Sequence, residues 1–180
     1  IVDEAYVDFG AESAVGLVDK YDNLLVVQTF SKSRSMAGMR IGFAIGNPLL
    51  IKYLNDVKYS FNSYTMSQLA LRLGTEALRD EAYFQETVAK IIKTREQAKR
   101  RLAELGFRLP DSSANFLFVT HPGYPAKELY EALKKEDIYV RYFDAPRIDQ
   151  YLRITIGTDE QMEALYAFLE RYEALHRKER

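Results

Sequence analysis

Lys32 lies in the run Thr29-Phe30-Ser31-Lys32-Ser33-Arg34-Ser35-Met36-Ala37-Gly38-Met39-Arg40-Ile41-Gly42-Phe43, a loop rich in small residues that leads into an apolar strand. A lysine so placed can form an imine with an aldehyde. Ser31 beside it and Arg40 further along supply the donors and the fixed charge that a phosphate monoester requires. The chain opens on Ile1-Val2-Asp3-Glu4-Ala5-Tyr6-Val7-Asp8-Phe9, a strand running into an acid and then a tyrosine. Aldehyde, phosphate and a ring needing a carboxylate are the parts of pyridoxal 5'-phosphate (PLP). The two segments together read as a site for it.

Drawing electrons from a substrate carbon into the PLP ring requires a protonated pyridine nitrogen, and a carboxylate holds that proton by a charge-assisted hydrogen bond. Asp3, at the carboxyl end of its strand, stands where open parallel sheets place ligands. An acid after a strand also serves as a helix cap or turn former, and both readings stay open. Tyr6 can reach the ring's phenolic oxygen. Glu4 and Asp8 are expected to face solvent, and Arg34 to be solvated or at an interface. Gly38 and Gly42 suit a turn and close packing.

A further cluster sits in Tyr151-Leu152-Arg153-Ile154-Thr155-Ile156-Gly157-Thr158. An arginine inside an apolar strand is costly unless paired, so Arg153 calls for a carboxylate or phosphate held by its two-pronged fork. Arg141, on the neighbouring expected strand, is either a second contact to that anion or an exposed arginine.

The elements that must position these residues are legible as patterns. Continuous apolar runs at 1–3, 24–29 and 41–45 suit a sheet covered on both faces. Asn47-Pro48 signals a helix start running to about Tyr59, and Thr65 with Gln68 has capping-box spacing for a helix over 66–78. From Glu81 to Leu105 apolar residues recur near the helical period, with Gly106 placed to end the run. At ~1.5 Å per residue that helix would reach about 40 Å, a length that commonly joins two lobes. Strands are expected over 115–119, 138–143 and 151–156, and a helix over 125–136. A last amphipathic helix runs from Thr158, with capping-box spacing to Gln161, to about His176. The expected fold class is α/β. Residues 1–75 would be the remainder of a large domain and the start of a linker, and residues 76–180 a small α+β domain that includes the long helix.

A formal net charge of -1 gives no general attraction to nucleic acid or anionic lipid, and neither partner is expected. No apolar run approaches the ~20 residues that span a bilayer, and no signal segment opens the chain, so a soluble, cytoplasmic protein is expected. The absence of cysteine excludes disulfides and thiolate metal sites. His121, in a proline-glycine turn, and His176, in a charged tail, read as surface residues and not as a metal site. The chain lacks an initiating methionine and begins within an apparent buried strand, so it is expected to be a piece of a longer protein.

Four segments in order, Asp3-Glu4-Ala5-Tyr6 with Phe9, Ser31-Lys32 with Ala37-Gly38-Met39-Arg40-Ile41-Gly42, Ser113-Ala114-Asn115-Phe116, and Leu152-Arg153-Ile154-Thr155-Ile156-Gly157, resemble successive signatures of histidinol-phosphate aminotransferase. That family lies within the fold-type I PLP enzymes. The resemblance implies their fold, a PLP-binding large domain with a mostly parallel sheet, followed by a long linking helix and a small α+β C-terminal domain. It also implies exchange of an amino group between histidinol phosphate and 2-oxoglutarate, in histidine biosynthesis. Lys32 would be the lysine bonded to the cofactor aldehyde and the proton carrier between substrate Cα and cofactor C4′. Asp3 would pair with the pyridinium nitrogen, Tyr6 with the ring oxygen, and Ser31 and Arg40 with the cofactor phosphate. Arg153 would grip the anionic group of either substrate and Arg141 would assist. Asn115 would stand near the substrate or the domain junction, or cap a strand end. Family membership further implies a homodimer with active sites near the subunit boundary.

The run Ser33-Arg34-Ser35-Met36 departs from many relatives, which carry there a small residue, an aromatic or aliphatic one and glycine. The family's glycine loop, stacking ring and asparagine beside the ring oxygen would all precede residue 1. The isolated chain is therefore expected to bind PLP weakly and to lack activity. Alternatives are an aromatic or broad-specificity aminotransferase, a PLP-dependent phosphoamino-acid decarboxylase and, from another class, a folded interaction module without catalysis.

Overall fold

The computed structural model describes residues 1–177, and their contacts divide into two units, Ile1–Ala89 and a second beginning at Lys90. In the first unit β1 (Val2–Asp3) pairs in parallel with β2 (Leu25–Thr29), and β3 (Gly42–Gly46) returns antiparallel on the other side of β2. The expectation of a mostly parallel sheet is corrected by that second pairing. Residues 30–41 contain one short 3₁₀ turn at 37–39 and no crossover helix, so the chain folds back beside the strand it has just left. Nor are both faces covered in this chain, since Val2 and Phe43 stand exposed.

Asn47 caps α1 (Pro48–Phe61), its side chain accepting the Leu49 N–H at 2.9 Å, with proline in the first turn as the spacing predicts. None of the residues of α1 is buried, and Tyr53, Leu54, Val57, Tyr59 and Phe61 are exposed on it. The expected Thr65 cap does not form. Ser67 takes the position instead, its hydroxyl accepting the Ala70 N–H at 3.1 Å, and α2 (Gln68–Arg79) starts there.

α3 (Glu81–Glu104) carries the chain from one unit into the next, so the contact boundary falls inside this helix, whereas the pattern-based division at residue 75 precedes it. It ends as its sequence dictates. Gly106 adopts φ +79, its N–H bonds the Ala103 carbonyl at 3.0 Å, and the Phe107 N–H reaches back to Leu102 at 2.9 Å. That bond pair is a Schellman stop, and Leu102 and Phe107 meet in the same core.

The second unit is a three-stranded antiparallel sheet under helices. β4 (Phe116–Val119) and β5 (Arg141–Tyr142) flank β6 (Leu152–Thr155), and α4 (Ala126–Lys135) and α5 (Asp159–Arg177) complete the unit. Leu117, Val119, Leu152 and Ile154 alternate onto one face and are buried with Ala98 and Leu102 of α3, Leu129 and Leu133 of α4, and Met162, Leu165 and Leu169 of α5. The strand expected over 138–143 is shorter because residues 137–138 belong to the turn after α4. Asp137 is left-handed at φ 57, and the Ile138 N–H is held by the Leu133 carbonyl at 3.0 Å. α5 opens on the capping box its sequence announces: Thr158 N–H donates to Gln161 Oε1 at 2.9 Å and Gln161 N–H to Thr158 Oγ1 at 3.3 Å. The two histidines expected at the surface are half-buried in aromatic stacks instead, His121 on Tyr124 at 4.3 Å and His176 on Tyr172 at 4.1 Å.

Gly106→Ala should destabilise the protein by about 1–2 kcal/mol or more, the cost of a left-handed residue with a side chain, because its Cβ would also stand 2.9 Å from His121 Nε2. Gly38→Ala, which meets nothing within 4 Å, is the control and should change little. Urea unfolding followed by circular dichroism compares the two.

Candidate active site

Because β1 and β2 run side by side, the chain leaves both at the same sheet edge. Asp3 is in register with Val27, and the Glu4 N–H closes on the Val27 carbonyl at 2.8 Å. The edge therefore receives Asp3 and Tyr6 from one strand, Ser31 and Lys32 from the other. Lys32 Nζ lies 5.5 Å from the centroid of the Tyr6 ring. Lys32 and Asp3 are exposed, and Tyr6 is half-buried. Asp3 does act as a turn former, its Oδ1 accepting the Ala5 N–H at 3.0 Å, which leaves Oδ2 for another donor.

The base of the lysine loop is closed by the Phe30 N–H on the Ile41 carbonyl at 3.1 Å, so Ser31 and Arg40 flank one linked pair. Thr29 Oγ1 organises this base. It accepts the Ser31 N–H at 3.1 Å and lies 2.8 Å from Ser31 Oγ and 3.0 Å from the Ile41 carbonyl, to which its one proton can be given. Arg40 sits at φ 56 and gives one donor to the Ala37 carbonyl at 3.0 Å, with its remaining donors on an exposed side chain.

Glu4, expected to face solvent, is 8% exposed. Its carboxylate accepts from the Ala14 N–H at 2.5 Å and from the Ser13 hydroxyl and the Gln28 amide at 2.8 Å each. Burial alone would raise its pKa, but these three donors together hold it below the ordinary carboxylate range. Asp8 is exposed, yet it accepts a hydrogen bond from the hydroxyl of Ser33, which is itself buried. Arg34 is not solvated either. Its guanidinium reaches the Ala77 carbonyl of α2 and stacks on Phe84 of α3. Local pattern carried no sign of these three contacts, because each partner is distant in sequence.

In the second unit Arg141 and Arg153 lie directly opposite each other on β5 and β6, and Phe118 opposes Arg153 from β4. Paired residues share a face, so these side chains project from the side of the sheet away from Leu117, Leu152 and Ile154. The Arg153 guanidinium stands 5.2 Å from the Phe116 ring and 5.9 Å from Phe143, and that of Arg141 stands 5.5 Å from Phe143. Arg153 is half-buried, and its Nε has no hydrogen-bond partner among the described residues. These aromatic neighbours were missed by reading the strands for charge alone. Asn115 contributes through its backbone, its carbonyl accepting the Ile156 N–H at 2.9 Å.

The fold is that of a known class. A family model described as aminotransferase class I and II matches residues 1–169, and the chain belongs to that family. It is 57% identical over 164 residues to the histidinol-phosphate aminotransferase of Brachyspira hyodysenteriae, covering 91% of this chain and 46% of that protein. The corresponding protein of Lactococcus lactis subsp. lactis is 54% identical, with 96% of this chain and 48% of that protein covered. The chain thus spans about half the length of these curated relatives. The crystal structure of the histidinol-phosphate aminotransferase from Clostridium acetobutylicum superposes with a TM-score of 0.86 at 26% identity, covering 96% of this chain and 53% of that one. That of the Sinorhizobium meliloti enzyme in complex with pyridoxal-5'-phosphate gives 0.82 at 26%, covering 96% and 48%.

The Glu4 network sets an acid limit on stability. A carboxylate whose folded pKa is depressed contributes stability above its unfolded value, here the ordinary 4.5, and loses it as pH falls through the lower folded value. Thermal unfolding should therefore show an extra acid-side loss below pH 4.5 that Glu4→Gln abolishes. At neutral pH the same substitution should cost roughly 1.5–3 kcal/mol, the range for hydrogen bonds to a charged group.

Proposed function

We propose that the protein carrying this chain is a PLP-dependent aminotransferase that exchanges an amino group between histidinol phosphate and 2-oxoglutarate, giving imidazole acetol phosphate and glutamate. The observation that carries the reading is the Lys32 amino group beside the Tyr6 ring, at the sheet edge that also receives Asp3 and Ser31. The donor set fits the cofactor's three functional groups. An exposed amine suits the aldehyde, the free oxygen of Asp3 suits a pyridinium, and Ser31 with Arg40 suits a phosphate.

When bound, PLP would supply an electrophilic carbonyl and an electron-withdrawing ring. Asp3 would keep the pyridine nitrogen protonated, and the Tyr6 hydroxyl would donate to the ring oxygen. Ser31 and Arg40 would hold the phosphate. Lys32 would bind the aldehyde carbon and afterwards hold the proton taken from the substrate's Cα.

The substrate preference is supported by the second cluster. Like charges directly opposite on a sheet repel, so Arg141 and Arg153 together favour an anion, and the unpartnered Nε of Arg153 offers it a donor. The phosphate of histidinol phosphate and the carboxylates of glutamate both meet that requirement. Relatives more than half identical carry the name histidinol-phosphate aminotransferase. Asn115 is assigned a place near the substrate on the strength of the family motif alone. The exposed apolar side chains of α1 favour an unfinished core over a complete interaction module. They also agree with a homodimer as the working assembly.

In the complete protein, borohydride reduction followed by peptide mapping should place the pyridoxyl group on Lys32, and labelling of another lysine would reject the assignment. Arg153→Ala should cost ~2–5 kcal/mol of transition-state stabilisation with both histidinol phosphate and glutamate, read as a lower kcat/KM, as expected for removing one side of a hydrogen-bonded charged contact. Arg141→Ala, at an exposed position, should cost less and depend more on salt. Unchanged kcat/KM for both substrates in Arg153→Ala would remove the anion-binding role.

A further inference from the structure

We propose that Arg34 is a positioning residue that fixes the direction of Lys32 by clamping the lysine turn to the junction of α2 and α3, an inference that rests on the role of Lys32 given above. The turn needs holding. Its Ser35 N–H bonds the Lys32 carbonyl at 3.1 Å and its Met36 N–H the Phe30 carbonyl at 3.0 Å. Ser35 is forced to φ 55, a conformation disfavoured for any residue with a Cβ. Such a backbone persists where the surroundings over-determine it.

Both residues after the lysine are anchored. Ser33 is buried and its hydroxyl bonds Asp8, on the segment that also carries Asp3 and Tyr6. Arg34 points elsewhere, its side chain only 14% exposed. One guanidinium nitrogen donates to the Ala77 carbonyl at 2.5 Å, and another lies 3.6 Å from the Glu81 carboxylate. The guanidinium carbon stands 4.0 Å from the Phe84 ring centroid and 5.4 Å from that of Phe30.

The Ala77 carbonyl is one of the last four of α2, which have no partner inside the helix, and a cation there also meets the negative end of the helix dipole. Glu81 opens α3, so Arg34 joins the end of one helix to the start of the next. Only a planar fork can hydrogen-bond a carbonyl, face a carboxylate and lie on a ring at once, and a lysine cannot. Lys32 lies between the loop base and these anchors, with its own side chain exposed. Its amino group is thereby directed by its neighbours.

The test uses the complete protein with Arg34→Met, Arg34→Lys and, separately, Phe84→Leu. Three quantities are read: the pH-dependent acetylation rate of Lys32 in cofactor-free protein, amide hydrogen exchange at Ser35 and Met36, and kcat with KM. Arg34→Met should speed exchange at both amides, shift the Lys32 acetylation profile, and lower kcat by about 10–100-fold, as misplacement of a reacting group by ~1 Å does. KM should change little. Arg34→Lys should recover only part of each effect, and Phe84→Leu should move all three in the same direction by less. If Arg34→Met does not fold, the other two variants decide. Wild-type acetylation, exchange and kcat in the variants that fold would overturn the clamp. Pyridoxyl labelling on a different lysine, with Lys32 acetylation still altered by Arg34→Met, would uphold the clamp and remove the role of Lys32 instead.

Discussion

The short parallel pairing of β1 with β2 is the constraint on which the first cluster depends. Without it the acid and tyrosine of one segment and the serine and lysine of another have no reason to share an edge. The ladder itself is slight, two residues in register plus the Glu4 N–H on the Val27 carbonyl. Backbone hydrogen bonds add about 1 kcal/mol each, so a ladder of this length is weak on its own. Glu4 reinforces it. Its carboxylate joins the exit of β1 to Gln28 on β2 and to Ser13 and Ala14 beyond. The lowered pKa shows that these donors outweigh the penalty of burial, so the charge strengthens the edge instead of weakening it.

In the second unit the core and the charged face are one decision. Alternation along β6 sends Leu152 and Ile154 into the helices and Arg153 to the opposite side. A slip of one residue would reverse all three. The buried leucine and isoleucine that lock the register therefore also aim the arginine. Phe116 and Phe118, on the same face of β4, give the guanidinium aromatic surroundings that tolerate a cation better than aliphatic ones. The arrangement leaves Arg153 Nε without a hydrogen-bond partner among the described residues, as the anion contact proposed for it requires.

What was legible in the sequence was what is decided within a few residues. The Asn47 cap, the Gly106 stop and the Thr158–Gln161 box each satisfy backbone groups next door, so spacing suffices to see them. The Lys32 loop was visible for the same reason, with Ser31 and Arg40 close by. Glu4 was misread because its amide donor, Gln28, lies 24 positions away and Ser13 lies 9 away. Arg34 was misread because Ala77 is 43 positions on. The antiparallel return of β3 escaped because an apolar run has no direction written into it. The loop length alone allows either sense.

The residues of the Lys32 loop are held with unequal strength. Arg34 is held by a carbonyl, a carboxylate and two rings, and Ser33 by an acid, so neither is free to react. Lys32 makes no ion pair among the described residues, and the Tyr6 ring near its amino group offers an attraction of only ~0.5–1 kcal/mol at such exposure. An ion pair with a nearby carboxylate would favour the ammonium form and oppose its conversion to a nucleophile. A weak contact to a ring keeps the group near its partner without using its hydrogen-bond donors. Firm anchoring therefore falls on Ser33 and Arg34, while Lys32 is left loosely held, which is what the role proposed for it requires.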